Sequence, residues 1–190
     1  MGGMEEEIDG VTRYLIGKQS AFDSVMQISR EIIRLSAQAI TYIHTGRDPG
    51  GLMKELDSKV GELKRIDADF RYNSVQAYQE YAEAVILYSI KRGDGIPGHG
   101  AVGVEQDAYL MGLMDVVGEL KREILESLRE GKVQEAESYF DKMRTIYDST
   151  RSIRFAEAVL QGFRHKQDTA RIQIENAGSE ILSFKSRGAK

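Results

Sequence analysis

The chain has 190 residues, of which 41% are hydrophobic and 29% are charged, so it is long enough for one domain with a hydrophobic core. It contains no cysteine, which excludes a disulfide framework, a thiolate nucleophile and a cysteine-ligated zinc or iron–sulfur site. The formal net charge of −4 argues against a nucleic-acid partner, although a basic concave surface is compatible with an acidic exterior.

The beginning of the chain has none of the features of a targeting segment. The sequence MGGMEEEIDG is acidic, without the basic and apolar regions of a signal peptide, and no apolar run reaches the length of a membrane span. We therefore expect a cytoplasmic protein with no membrane partner. We also expect residues 1–190 to form a single domain, with residues 1–4 disordered.

A long amphipathic helix is predicted to end near Thr45, because its apolar residues recur at spacings of three and four. Gly10 and Gly17 are expected to break its first part. The sequence GRDPGG at 46–51 predicts a turn, and a second helix follows over about 52–66. The apolar positions of the first helix are Phe22, Val25, Met26, Ile28, Ile32, Ile33, Leu35, Ala39, Ile40 and Ile43.

The middle of the chain is predicted to contain two long helices, over about 68–92 and 104–130. Between them, GDGIPGHGAVG at 93–103 holds five glycines and a proline, which indicates a mobile surface loop.

The rest of the chain is also predicted to be helical, over about 133–148 and 152–184, with a bend or break in the last helix at Gly162 or Gly178. Strand-like runs are scarce. The fold class is therefore predicted to be all-α, a single-domain bundle of about six to seven helices.

Two acidic pairs stand at helical spacing in the third and fourth helices of this scheme. Glu80 and Glu83 are three residues apart, while Asp115 and Glu119 are four apart, so each pair shares a helix face. Such carboxylates suit a hard divalent cation, which would relieve their repulsion. Both pairs lie off the apolar stripes, however, so solvated helix faces are the simpler interpretation. A shared site requires that the two polar faces line one groove.

The side chains near the acidic pairs do not decide between a metal site and solvated helix faces. Arg122 and Lys91 follow the acids on the same faces, and a cation beside clustered acids suits an anionic substrate such as a phosphate. Among the histidines, His44 stands at a predicted helix end, where a surface or capping role is expected rather than catalysis.

Two stretches resemble the translin/TRAX family of helical nucleic-acid-binding proteins: QEYAEA at 79–84 and DAYLMGLMDVVGELKR at 107–122. Within that family the chain is more similar to TRAX, the catalytic member, than to translin. The resemblance covers about residues 20–186. Supporting matches are ISREI at 28–32, IYDS at 146–149 and KQDTARIQIENA at 166–177.

The resemblance implies an active site. Glu80, Glu83, Asp115 and Glu119 stand where TRAX proteins carry a glutamate pair in Q-E-x-x-E-A and an aspartate–glutamate pair in D-x-x-G-E-L. If the match holds, the four residues hold Mg²⁺, with Mn²⁺ as an alternative, in a metal-dependent endoribonuclease, and Glu119 could instead serve as the base. A translin-like seven-helix fold is implied as well, with RNA bound inside a closed, octamer-like shell.

The chain also departs from the family. Where eukaryotic TRAX has a long insertion this chain has only the glycine-rich loop, so a homo-oligomer could do the work that TRAX and translin share. The basic RNA-binding segment of translin is poorly matched, because DFRYNSVQAY at 69–78 keeps only Arg71 as a cation. Arg122, Lys91 and Arg71 are the candidate RNA contacts, and such contacts would be salt-sensitive and independent of sequence.

Two other functions remain open. All-α nucleoside triphosphate pyrophosphohydrolases use E-x-x-E followed by E-x-x-D with Mg²⁺, but the second acidic pair here is spaced by four residues. The other alternative is a non-catalytic, translin-like RNA- or DNA-binding protein in which the acids are structural.

Overall fold

The computed structural model describes residues 2–188, and within that range the chain is all-α, as predicted. A short 3₁₀ turn, Ala68–Phe70, precedes the third helix. The number of helices agrees with the expected six to seven. The helices are α1 (Gly2–His44), α2 (Gly50–Ile66), α3 (Arg71–Arg92), α4 (His99–Val102), α5 (Gln106–Arg129), α6 (Val133–Thr150) and α7 (Phe163–Gly188).

Helix α1 has two halves with different environments. Its second half packs against α2 and α3 and buries the predicted apolar residues, including Val25, Ile32 and Leu35. Residues 3–21 are exposed apart from the half-buried Gly10. Gly10 and Gly17 do not break the helix, contrary to our expectation, because a helical glycine costs only about 1 kcal/mol.

The expected disorder of residues 1–4 is wrong for residues 2–4, which form the first turn of α1, and Met1 lies outside the described residues. Glu5 stands in the first turn, where a carboxylate interacts favourably with the positive end of the helix dipole. This acidic residue therefore supports the start of the helix.

Helix α3 is the central element of the bundle. It packs against α1 on one side and α5 on the other, and α5 also contacts α6 and α7. As a result α3 has buried side chains around much of its circumference, including Ala77, Ala82 and Ile86. Side chains on its α5 side therefore face another helix rather than solvent.

Two connections differ from the sequence prediction. The glycine-rich segment contains the single helical turn α4, and Gly93 and Gly103 adopt positive φ angles of 84° and 75° just after α3 and α4. The last helix begins at Phe163 rather than near residue 152, and residues 151–162 form turns and irregular backbone.

The late start of α7 has a physical reason. The Gln167 side chain of α7 donates a hydrogen bond of 2.7 Å from Nε2 to the carbonyl oxygen of Thr150 at the end of α6. This bond satisfies a carbonyl that continued helix would otherwise pair. Gly162 has a φ of 76°, which lies outside the helical region, and α7 then continues through Gly178 without a break.

None of the helices between residues 2 and 188 combines the length and the apolar character needed to cross a membrane.

Candidate active site

Helices α3 and α5 approach each other closely at Gly112. A Cβ atom at this position would lie 2.6 Å from the carbonyl oxygen of Gln79, 2.9 Å from the Cβ of Ala82 and 3.0 Å from the amide nitrogen of Glu83. No side chain fits there, so the glycine allows the two backbones to touch. This contact brings the segment that carries Glu80 and Glu83 against the segment that carries Asp115.

The four predicted acids share one electrostatic environment in this structure. Burial, followed by the charges of Asp115, Glu80 and Glu119, raises the pKa of Glu83 to about 9. Burial and the charge of Asp115 also raise the pKa of Glu80. The two pairs therefore face one another across the α3–α5 groove, the arrangement that a shared site requires.

The expectation that both pairs lie on solvated faces is wrong for Glu83, which is only 8% exposed. Glu80 is half-buried, and about a quarter of each of the Asp115 and Glu119 side chains is exposed. A single apolar stripe implies one buried face per helix, whereas α3 is covered on two sides.

Asp115 is held by two side chains. Lys166 of α7 forms an ion pair with its Oδ1, and Gln79 of α3 donates a hydrogen bond of 2.6 Å from Nε2 to its Oδ2. The Lys166 charge also lowers the pKa of Glu80 and of Glu83. Sequence reasoning did not identify Lys166 as a site residue, although it is the first residue of the KQDTARIQIENA stretch.

Glu119 is held by His44, at the other end of the groove. The Nε2 of His44 contacts Glu119 Oε2, and its Nδ1 lies 2.5 Å from Glu123 Oε1, so both ring nitrogens face carboxylates. Burial opposes the charge of His44, but hydrogen bonds to Glu119 and Glu123 outweigh it and raise the pKa. The His44 side chain is only 4% exposed and faces a carboxylate at each ring nitrogen, so the expected surface role is wrong.

Glu123 joins this network to Lys91. The Nζ of Lys91 lies 2.6 Å from Glu123 Oε2, and burial of Glu123 is outweighed by hydrogen bonds from His44 and Lys91 that lower its pKa. A chain of alternating charges thus runs from Lys91 to Glu119. Neither His44 nor Glu123 was recognised from the sequence.

The three predicted RNA-contacting cations occupy different places. Lys91 belongs to the network just described. Arg122 is exposed on α5 and forms no ion pair within residues 2–188. Arg71 lies at the start of α3, where its guanidinium is 3.8 Å from Asp67 and 3.9 Å from Glu105, so it is not brought to the acids.

A basic segment that sequence reasoning passed over lies near Lys166. Arg154 and Arg164 line a cavity of about 380 Å³ together with the exposed ring of Phe155. Arg154 also donates a hydrogen bond of 2.8 Å to Gln167 of α7, next to Lys166. The signal in the sequence is the density of cations in TRSIRF and FRHK at 150–155 and 163–166.

The four acids provide the type of ligand that a hard cation prefers, because all four offer carboxylate oxygens. Their mutual repulsion also favours the binding of positive charge. Their present orientation does not form a ligand set: across the described residues, no three His, Asp or Glu side chains converge on one point. Asp115 and Glu119 are turned towards Lys166 and His44 instead, so these carboxylates have to turn to hold a metal ion.

Known proteins are similar to this chain over nearly its whole length. No family model matches it. An uncharacterized protein of Methanocaldococcus jannaschii is 30% identical over 185 residues, a match that covers 94% of this chain and 83% of the relative.

Solved structures share the fold. AfC3PO from Archaeoglobus, in a structure with duplex RNA, has a TM-score of 0.87 and 25% identity over 95% of this chain and 97% of its own. A crystal structure of AfC3PO has a TM-score of 0.88 and 26% identity, covering 97% and 100% of the two chains. Apo-NeC3PO from Nematostella has 22% identity and a TM-score of 0.82 over 93% of this chain and 96% of its own, which shows the fold alone. These are C3PO structures of the translin/TRAX type, and this chain is a translin/TRAX-like protein.

Proposed function

We propose that the protein is a Mg²⁺-dependent endoribonuclease that hydrolyses phosphodiester bonds at Glu80, Glu83, Asp115 and Glu119. The observation that carries the proposal is the close contact of α3 and α5 at Gly112, which places the buried Glu83 and its neighbour Glu80 in the same groove as Asp115. Burial, together with the charges of Asp115, Glu80 and Glu119, raises the pKa of Glu83, as is common at functional sites. The structural similarity to AfC3PO in complex with duplex RNA supports RNA as the substrate.

Each side chain has a role that follows from its position. A divalent cation bound here supplies Lewis-acid charge to a phosphate oxygen and acidifies water. Glu80, Glu83 and Asp115 would hold that cation. Glu119, kept in place by His44, would accept a proton from the attacking water. Lys166 lies in reach of the same space and would neutralise charge on the phosphate.

RNA contacts outside the groove would come from exposed cations. Arg122 is exposed on α5, three residues after Glu119, and Arg154 and Arg164 line the cavity near Lys166. Lys91 is engaged with Glu123, and Arg71 lies away from the acids, so both contribute less to the bound strand. Such contacts address phosphates, so binding should weaken steeply with salt concentration.

The exposed half of α1 supports self-association into a homo-oligomer, for which we propose an octamer. Ile8, Val11 and Leu15 are each more than half exposed and follow one another at helical spacing. If two copies paired antiparallel, the acids at 5–7 would face the cations Arg13 and Lys18 of the other copy.

Light scattering tests the assembly. The wild-type protein should have the mass of an oligomer, and Leu15→Asp should reduce that mass while leaving the helical circular dichroism spectrum nearly unchanged. A wild-type monomer at micromolar concentration would overturn the proposed shell.

Incubation with labelled single-stranded and duplex RNA, with Mg²⁺, Mn²⁺ or chelator, tests the activity. Cleavage should require the cation and should be abolished by Glu83→Gln, whereas Glu55→Gln, an exposed residue on α2, should cleave normally. Calorimetric titration with Mg²⁺ gives a second readout, because Glu83→Gln should weaken the binding of the ion itself.

The two alternatives predict other results. Hydrolysis of nucleoside triphosphates with RNA left intact would support a pyrophosphohydrolase. RNA binding without cleavage under any of these conditions would support a non-catalytic nucleic-acid-binding protein.

A further inference from the structure

A cavity of about 500 Å³ opens beside the acid cluster, between the first half of α3, the start of α5 and the irregular segment at 158–161. This volume is in the range of small-molecule sites and exceeds that of a single nucleobase. Its walls combine side-chain amides with aromatic and aliphatic groups. The residues on which the inference depends are Tyr72, Asn73, Gln76, Gln79, Asp107 and Gln161.

The cavity is continuous with the candidate active site through two glutamines. Gln79 lines the cavity and also donates the 2.6 Å hydrogen bond to Asp115. Gln76 lines it one turn earlier and lies close enough to Glu80 to interact with that carboxyl. A molecule in the cavity would therefore be an immediate neighbour of a molecule at the acids.

The wall chemistry argues against a phosphate. The lining contains no lysine or arginine, and its one charged residue is Asp107, a carboxylate that would repel an anion. It offers amides instead, and each amide supplies both donors and an acceptor. The amides of Asn73 and Gln161 form no hydrogen bond with other groups among residues 2–188, so their donors and acceptors are available.

The apolar part of the wall suits a flat ring. Tyr72 is 83% exposed, more than any other large hydrophobic side chain in the described residues. Val159 is 69% exposed on another wall of the cavity. A neutral, planar group with a hydrogen-bonding edge matches these surfaces, and in RNA that group is an unpaired base, which proteins bind by stacking and by contacts to its edge.

We propose that this cavity binds one unpaired nucleobase of the RNA, next to the phosphodiester that lies at the acid cluster. The base stacks on Tyr72, and its edge is bonded by the amides of Asn73 and Gln161. The inference rests on the proposed nuclease function and deepens it, because the nucleotide beside the cleaved bond must leave any duplex. Cleavage should accordingly favour single strands, bulges and frayed ends over continuous duplex.

Fluorescence of 2-aminopurine tests the subsite. The probes are short uridine-rich RNA strands with one 2-aminopurine at each position in turn, and a second set carries an abasic residue at the same position. Binding is measured with the full-length protein in chelator, so that no strand is cut. At one position the wild-type protein should quench the fluorescence.

Variants at Tyr72 separate stacking from other contacts. Tyr72→Ala should abolish the quenching at that position and weaken binding of the 2-aminopurine strand roughly tenfold, which is within the effect of losing one base–aromatic stack. Tyr72→Phe keeps the ring and should behave as wild type. Binding of the matching abasic strand should be the same for all three proteins, because it has no base to stack.

Two results would overturn the inference, and they are distinguishable. If the wild-type protein binds and cleaves RNA but Tyr72→Ala affects the base and abasic strands equally, the subsite is wrong and the nuclease stands. If the wild-type protein neither binds nor cleaves RNA, the proposed function fails and the subsite fails with it.

Discussion

Replacing Glu83 by glutamine should stabilise the metal-free protein. The pKa of Glu83 is raised from an ordinary value of 4.5 to about 9, so between these values the unfolded chain releases the proton while the folded chain keeps it. Stability contributed by the neutral carboxyl is thus present below pH 4.5 and is lost as the pH rises. Each pH unit in that interval lowers the free energy of unfolding by about 1.4 kcal/mol, which amounts to about 3 kcal/mol at pH 7.

Glutamine keeps the shape of the side chain and cannot ionise, so Glu83→Gln should recover most of this free energy. The expected rise in Tm at pH 7 is about 6–12 °C for a chain of this size. At pH 4.5 the difference between variant and wild type should nearly vanish. Chemical denaturation in chelator at fixed protein concentration measures both values, and the exposed Glu55→Gln should show no difference at either pH.

Equal stability of Glu83→Gln and wild type at pH 7 would refute the reasoning, because it would mean that Glu83 is solvated and uncoupled from its neighbours. Destabilisation that is independent of pH would refute it too. The same variant should lose RNA cleavage, so a gain in stability accompanied by a loss of activity is the combined expectation.

Gly112→Ala should lower the free energy of unfolding by about 1–3 kcal/mol, since its Cβ would meet the backbone of the opposite helix, whereas Gly61→Ala, with open space, should raise it by about 0.5–1 kcal/mol. His44→Gln should cost about 2 kcal/mol below pH 6.5, and this difference from wild type should disappear as the pH rises through the raised pKa of His44. Tyr78→Phe removes a 2.8 Å hydrogen bond to the fully buried Asp67 and should cost about 1–3 kcal/mol in denaturation, with RNA cleavage unchanged. A cost below 0.5 kcal/mol for Gly112→Ala or Tyr78→Phe, or a pH-independent cost for His44→Gln, would contradict the respective contact.

Helix positions were predictable where one apolar stripe faces one neighbour. The second half of α1 is such a case, and its spacing of apolar residues is a local property of the sequence. The structure of the segment after α6 was not predictable in this way, because FAEAVLQ at 155–161 contains good helix formers but forms turns. The contact that sets this boundary, from Gln167 to the Thr150 carbonyl, joins residues 17 positions apart.

The acids of the candidate site could be named from spacing and resemblance, but their partners could not. Lys166 is 51 residues from Asp115, and His44 is 75 residues from Glu119. Helical periodicity relates residues within a few turns, so it carries no information on which distant side chain meets a carboxylate. The same limit explains Glu83: α3 packs against both α1 and α5, and only the tertiary structure determines which of its faces are covered.

The pairing of Asp115 with Lys166 and of Glu119 with His44 bears on which ions the groove can accept. Each carboxylate already has a tethered partner, Lys166 or the protonated form of His44, whose effective concentration is set by the fold and not by the surrounding solution. A monovalent ion gains no charge by displacing a lysine, whereas a divalent ion does. At the proposed metal site, this competition from within the molecule should favour doubly charged ions over sodium and potassium, without a rigid cage of ligands.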